Sequence, residues 1–426
     1  MRVKTFSIRA LLLSAVLLCS IASAAPVWAQ GSPLNLLGFG RPLEAWNARI
    51  DALSGAGTAL TDPRIVNGPN PASWSWLSRA RLESELHFDI TQSTQDNLPT
   101  ARNQDLHLGG FIFGSPMWER YHMSIALGFR PLTDAGASLT SGDSLQKYNY
   151  KSSGGASEAF LGLAGQVQPG VAVGAEFDVL FGNVRHLGQD QFADPAVANG
   201  NFERDYSLTG LRTTLGLLLA GDSLSEILHG LSLGVTVTTP SSLTMNSRTV
   251  ITPVTSQLDT ELETTGKGYY PASFTVGLGV RLSPRSQLIA DFASQDFSKA
   301  YLFTQTTSTG DPTLGASTRY SVGIDRAPIM GIESANTGYW ERVGLRVGAS
   351  YYQLPFRPAN SGGYNAIAGS LGIGLPLGLE SLLDLSFTGG QRSPVNLGSA
   401  PKDLFFRLGA TISLSERWFV PSRTDD

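Results

Sequence analysis

The sequence has one cysteine, 15% charged residues and, past its first 30 positions, no apolar run long enough to cross a bilayer as a helix. Each shortage excludes a class. A single cysteine cannot build a disulfide scaffold. That cysteine, Cys19, follows Leu18 where lipid attachment wants a small residue, and it lies in a segment expected to be removed. Average usage is about 25% charged, so charge is scarce, yet 42% of the residues are hydrophobic. A disordered chain would show the opposite balance. Helix-forming residues do not dominate at heptad spacing, which excludes a coiled coil. Basic charge is also lacking. The formal net charge is −4, and a nucleic-acid partner would need a basic face.

The N-terminus is organised as a secretory signal. Arg2, Lys4 and Arg9 precede an apolar stretch over 10–25, and two small-residue cleavage sites follow, Ala22-Ser23-Ala24 and Val27-Trp28-Ala29. Removal of residues 1–29 takes three cations and no acids, which brings the formal charge to −7. The mature chain then has no cysteine.

What the sequence does have is alternation at period two and 47 glycines. Val171, Val173, Ala175, Phe177, Val179 and Phe181 fall on one face. Ala172, Gly174, Glu176, Asp178 and Gly182 fall on the other, with Leu180 as the exception. Similar patterns occupy 80–90, 121–130 and 404–414. Segments of ~10–13 residues exceed the ~5–6 of soluble strands and suit tilted membrane strands. A mean hydropathy of −0.01 fits a wall with one lipid face and one wet face. Backbone groups in lipid must pair internally, so the strands must close into a barrel.

Fourteen strands are predicted, roughly over 79–91, 104–114, 120–131, 156–168, 170–182, 204–220, 229–248, 269–283, 286–297, 316–326, 340–355, 364–376, 381–391 and 403–415. Short connectors (115–119, 169, 221–228, 284–285, 377–380), with one longer connector (327–339) on the same side, alternate in phase with long polar ones, which places both termini on the periplasmic side. In 204–220 the apolar phase shifts around Gly210, which either a bulge or a misassigned strand would explain. Residues 31–78 do not alternate. A fourteen-stranded lumen is wide enough to leak, so this segment is expected to plug it. The expected organisation is a signal peptide (1–29), an N-terminal plug (30–78), an all-β, 14-stranded antiparallel transmembrane barrel (79–419) and a C-terminal tail (420–426).

Arg81, Glu83, Glu85, Asp89, Glu176, Asp178, Arg342 and Arg346 are expected to line the lumen. They serve either as a salt-bridged wall that holds the plug or as a polar ligand path. Trp118, Tyr269, Tyr270, Trp340, Tyr351, Tyr352 and Trp418 are expected in the interfacial girdles. Hydrolase chemistry is not supported. Gly142-Asp143-Ser144-Leu145 and Gly221-Asp222-Ser223-Leu224 spell the GDSL block, but no histidine follows His229 to serve as the late base. The five histidines show no metal spacing. No cofactor, metal or catalytic residue is expected.

Ala48-Arg49, the run Gly55-Ala56-Gly57-Thr58-Ala59-Leu60-Thr61-Asp62-Pro63 and then Asn70-Pro71-Ala72 resemble the N-terminal hatch of the FadL/TodX long-chain fatty-acid transporter family. Leu180-Phe181-Gly182, Gln295-Asp296-Phe297 and Glu416-Arg417-Trp418-Phe419 extend the resemblance more loosely. The chain departs from that family in its Pro-rich 62–69 linker and in the seven residues after Phe419. The resemblance implies an outer-membrane channel for hydrophobic small molecules such as long-chain fatty acids or hydrocarbons. It also implies passive diffusion past a plug, with ligand leaving sideways into the bilayer. Within it, Gly55, Gly57, Asn70, Pro71 and Ala72 form the plug motif. It transfers no ligand-contact residues. Outer-membrane lipid and lipopolysaccharide would surround such a barrel, and the barrel-assembly machinery would handle its biogenesis. The alternatives are a same-fold scaffold or shuttle for secreted proteins, and a general porin, which the plug argues against.

Overall fold

The computed structural model describes residues 40–43, 47–95, 100–142, 145–194, 199–253, 260–304, 313–331, 336–357, 362–377, 380–396 and 401–416. The expected signal peptide, the C-terminal tail, Trp418 and the Asp143-Ser144 pair lie outside them.

Fourteen antiparallel strands form a closed barrel. They are β1 (Ala80–Thr94), β2 (Ala101–Trp118), β3 (Met123–Pro131, resumed at Ala137–Gly142), β4 (Gln146–Gln168), β5 (Val171–Phe192), β6 (Gly200–Ala220), β7 (Leu231–Thr238 and Ser241–Pro253), β8 (Thr260–Tyr270 and Ser273–Ser283), β9 (Ser286–Asp296 and Tyr301–Thr304), β10 (Ala316–Arg326), β11 (Gly344–Leu354), β12 (Tyr364–Pro376), β13 (Leu382–Pro394) and β14 (Lys402–Glu416). β14 pairs with β1 from Ala80↔Glu416 to Thr94↔Lys402, which closes the ring.

The faces follow the period-two pattern. Phe177 and Leu408 are outward and exposed, while Ala172, Glu176 and Thr411 are inward and buried. Three features of the sequence reading change. First, β4 to β8 continue well into stretches expected to be loops (132–155, 183–203 and 249–268). Beyond the lipid band a strand needs no apolar face, so the ladder persists after the hydrophobic signal stops. Second, β7 is interrupted at Thr239-Pro240 and β8 at Pro271-Ala272, because proline cannot donate to a ladder. Third, β5 and β6 stay in one register from Val171↔Leu219 to Asp190↔Gly200, with no bulge at Gly210. The apolar phase shifts there because Leu208 faces the lumen and packs in an apolar cluster.

Residues 47–77 run inside the barrel near its short-turn end. α1 (Ala48–Ala52) is capped by the Asn47 side chain, which accepts from Ile50 N. A 3-10 turn, Pro71–Trp76, leads to β1. Asn70 is extended, as a residue before proline prefers. The plug's backbone touches a ring of inward glycines. A Cβ on Gly174 would lie 2.5 Å from Ala72 N, and one on Gly234 or Gly348 would strike the Thr58 carbonyl or Leu53. Several wall glycines therefore sit where plug and wall share the same space.

Candidate functional site

Two layers fill the lumen, and a gap in the wall is the third element of the site. The lower layer is the plug–wall contact. Arg49 donates to Asp62 at 2.7 Å and to Asp325 of β10 at 2.5 Å, and Asp325 in turn accepts from Arg346 of β11 at 2.9 Å. Arg346 also pairs with Asp384 of β13. Asp291 of β9 accepts from Gly57 N, Thr58 N and the Thr58 hydroxyl at 2.9, 2.9 and 2.7 Å. Glu83 accepts from Val66 N at 2.9 Å and from the Asn47 amide at 3.2 Å. The Asn70 side chain accepts from Ala72 N at 3.0 Å and donates to Thr58 O and to Leu217 O of β6. Burial alone would raise the Asp62 carboxyl. The Arg49 and Arg64 guanidinium groups outweigh it and hold that carboxyl well below the usual carboxylate range.

Of the expected lumen residues, Arg81, Glu83, Glu85, Asp89, Glu176, Asp178 and Arg346 face inward and are buried. Arg81 reaches the carbonyls of Pro63 and Glu380. Glu176 and Asp178 join Glu158, Arg130 and Arg212 in one buried network above the 3-10 turn. Asp89 takes a bidentate pair from Arg407 at 2.7 and 3.0 Å. Glu85 is instead beside His87, at 2.6 Å from Nε2. Arg342 does not line the lumen. The wall strand begins only at Gly344, and Arg342 ends a helical turn, Tyr339–Arg342, where it stacks on Tyr339. Arg49, Asp62, Asp291 and Asp325 carry the contact; the sequence pointed to Arg49 and Asp62 only as members of the hatch run, with no role, and to Asp291 and Asp325 not at all. Asp325 was findable, since it shares the inward parity of Ser321 in β10. Asp62 was not, because the plug has no period.

The upper layer is apolar. Leu180, Val184, Tyr206, Leu208, Leu243 and Met245 form part of a buried cluster inside the long-loop half, with Tyr270 among them and Tyr352 packed against it. Both tyrosines were expected in a girdle. Their parity puts them inside, while Tyr351 points out. Between plug and cluster lies a cavity of about 170 Å³, reached by Leu132, Tyr270 and Tyr352 but also by Arg130, Arg212 and Arg319.

The third element is a gap in the wall. The β2–β3 ladder ends at Phe111↔Phe129. The continuation of β3, Ala137–Gly142, pairs with β4. Among the described residues no ladder joins it to 101–110. A cavity of about 390 Å³ occupies the gap, lined in part by Leu43, Leu108, Pro131 and Phe181. The chain's own N-terminal segment lies across it. Arg41 and Pro42 pair antiparallel with Asp134 and Thr133, and Leu43 N donates to Leu132 O at 2.8 Å. Arg41 is 3.7 Å from both Asp89 and Asp134.

The second GDSL copy is a turn. Asp222 accepts from Gly230 N at 2.6 Å and pairs with Arg281, and His229 faces Asp222.

A family model described as BamG matches residues 7–425. The chain belongs to the BamG family. Its fold is shared with solved channels at low identity. The FadL homologue of Pseudomonas aeruginosa is 13% identical with a TM-score of 0.58, covering 87% of this chain and 99% of its own. A TodX deletion mutant, a monoaromatic hydrocarbon channel, is 14% identical with a TM-score of 0.59, covering 88% and 99%. The toluene transporter TbuX of Ralstonia pickettii is 14% identical with a TM-score of 0.56, again covering 88% and 99%. No curated protein matches the sequence. This BamG-family chain thus has the FadL-type fold that its hatch motif resembles.

Proposed function

We propose that the chain is an outer-membrane channel, not an enzyme, that passes small hydrophobic molecules through its lumen and out through the β2–β3 gap into the bilayer. The observation that carries this reading is the interrupted ladder beyond Phe111↔Phe129, where apolar side chains line a cavity in the wall itself. An apolar solute leaving there would never enter bulk water. The segment 40–43 acts as a strap that must shift for passage. Residues 1–29 direct export, and residues 30–78 act as one plug. The fold shared with hydrocarbon channels supports the same reading.

The test is a reversible lock. Pro42→Cys/Thr133→Cys would join two directly paired residues. Uptake of labelled toluene or a long-chain fatty acid into proteoliposomes should stop on oxidation and return on reduction. Undiminished uptake by the locked protein would overturn the exit route. No uptake by the unmodified protein would overturn the channel reading.

Membership in the BamG family favours a second reading, a scaffold engaged with barrel assembly. The wall gap would then offer strand 101–110 to a partner strand rather than a path to a solute. Co-purification of assembly components, combined with absent uptake, would select it.

A further inference from the structure

We propose that Asp51, Glu85 and His87 form a divalent transition-metal site, of the kind that takes Zn²⁺, which fastens the plug to the first strand. Asp51 comes from α1, and Glu85 and His87 come from β1. One oxygen of each carboxylate and a His87 nitrogen lie within 4.8 Å of one another. His87 Nε2 is 2.6 Å from Glu85 Oε1 and 3.4 Å from Asp51 Oδ2. Ligand atoms held at about 2.0–2.2 Å by a tetrahedral zinc ion lie about 3.4 Å apart, so the Asp51–His87 spacing fits as it stands and the Glu85 oxygen has to swing out by about 1 Å to admit the ion.

Two observations beyond proximity point to a ligand. His87 is fully buried, its Nδ1 and Glu85 Oε2 have no hydrogen-bond partner, and its Nε2 faces only the carboxylate oxygens of Glu85 and Asp51. Leaving such groups unsatisfied is costly, and a cation held by one His87 nitrogen and one oxygen of each carboxylate reduces that cost. The second observation is charge. Asp89, the next inward carboxylate, takes both Arg407 contacts. Among the described residues, Asp51 and Glu85 have no lysine or arginine within ion-pair distance, and His87 is their one ion-pair neighbour. Two buried carboxylates and a neutral imidazole match the ligand chemistry of zinc-type ions, with the fourth position left to water. His107 closes one side, its ring edge-on to His87 at 5.3 Å. His107 also lines the gap cavity, so its ring stands between that cavity and the site.

The site needs the plug, so no spacing of histidines in the sequence could reveal it. It also differs in kind from the ion pairs on Arg49, because a chelator can remove it.

The purified protein in detergent, stripped with a chelator, should bind one equivalent of Co²⁺ with visible d–d absorption, and Zn²⁺ should displace it. Asp51→Asn and His87→Gln should each weaken binding on the order of 100-fold, while His229→Ala should leave it unchanged. His229 is the control because it sits exposed at 3.0 Å from Asp222. The proposal is overturned if the unmodified protein takes up no saturable equivalent, if both cluster variants retain it, or if His229→Ala abolishes it. Should His87→Gln fail to fold, Asp51→Asn still decides, since it lies in the plug and leaves the wall intact.

Discussion

Arg49 of the plug and Asp325 of the wall form an ion pair at 2.5 Å, with their side chains 1% and 0% exposed. The pair is not isolated. Asp62 shares Arg49, and Arg346 shares Asp325. Shared charges let each desolvated group find more than one partner, which an isolated buried pair lacks.

Removing one member should therefore be expensive. Arg49→Met is expected to cost about 3–5 kcal/mol of plug docking, because Asp62 and Asp325 both lose a partner inside the protein. The double variant Arg49→Met/Asp62→Leu should recover part of this, since Asp325 keeps Arg346. Channel-opening frequency in urea would measure both. The sign with pH also follows. The Asp62 carboxyl is depressed, so its stabilisation is present above about pH 4, the ordinary carboxylate range. It is lost only as pH falls through the much lower folded value. Openings should not rise between pH 7 and pH 4 on account of this pair.

The glycine ring predicts steric effects on the same docking. Gly348→Leu or Gly234→Val places atoms where Leu53 or the Thr58 carbonyl already lies. Overpacking of this kind costs about 1–3 kcal/mol or more, and conductance should rise. Gly369→Ala is the control. Its nearest neighbour is 4.0 Å away, so conductance should stay at the unmodified level.

The lipid face should respond differently. Val173, Phe177 and Leu408 point outward. An Arg at any of them should cost about 2–4 kcal/mol near the midplane and less towards the interfaces. Thr411→Ser keeps the hydroxyl that accepts from Ala48 N at 2.8 Å and should cost far less. Folding yield into lipid vesicles separates the two. Equal losses would mean that the outward face is not in lipid.

The wall was legible in the sequence because one physical demand, apolar outside and small or charged inside, repeats every second residue. Glu176 and Asp178 were placed in the lumen by parity alone. Legibility stopped where that demand stops. Beyond the bilayer, residues such as Asn183 and Arg185 keep the ladder without the pattern. At Tyr270 and Leu208 the lumen itself turns apolar, so an inward residue looked like an outward one. The plug was legible only as a region without alternation. Which of its groups bind the wall depends on partners far apart in sequence, such as Gly57 with Asp291 or Asp51 with His87, and no local spacing encodes those meetings.

The last prediction concerns the plug as a whole. Deleting residues 31–69 removes Arg49, the Gly57 and Thr58 donors to Asp291, and α1. It keeps Asn70-Pro71-Ala72 as the lead into β1. The wall retains its own pairings without the plug. Arg346 still bridges Asp325 and Asp384, and Arg130 and Arg212 still bridge Glu158, Glu176 and Asp178. Asp291 and the glycine ring would then face water, which satisfies both. The deletion should therefore fold as a barrel, read by its heat-modifiable migration, and should conduct ions as a persistent open pore. Apolar uptake should lose its selectivity at the same time. Unchanged conductance in a folded deletion variant would show that residues 31–69 do not seal the lumen, and the seal would have to come from the apolar cluster around Leu208 and Tyr270. Raised conductance with no apolar binding by the intact protein would keep the plug and favour the scaffold over the channel.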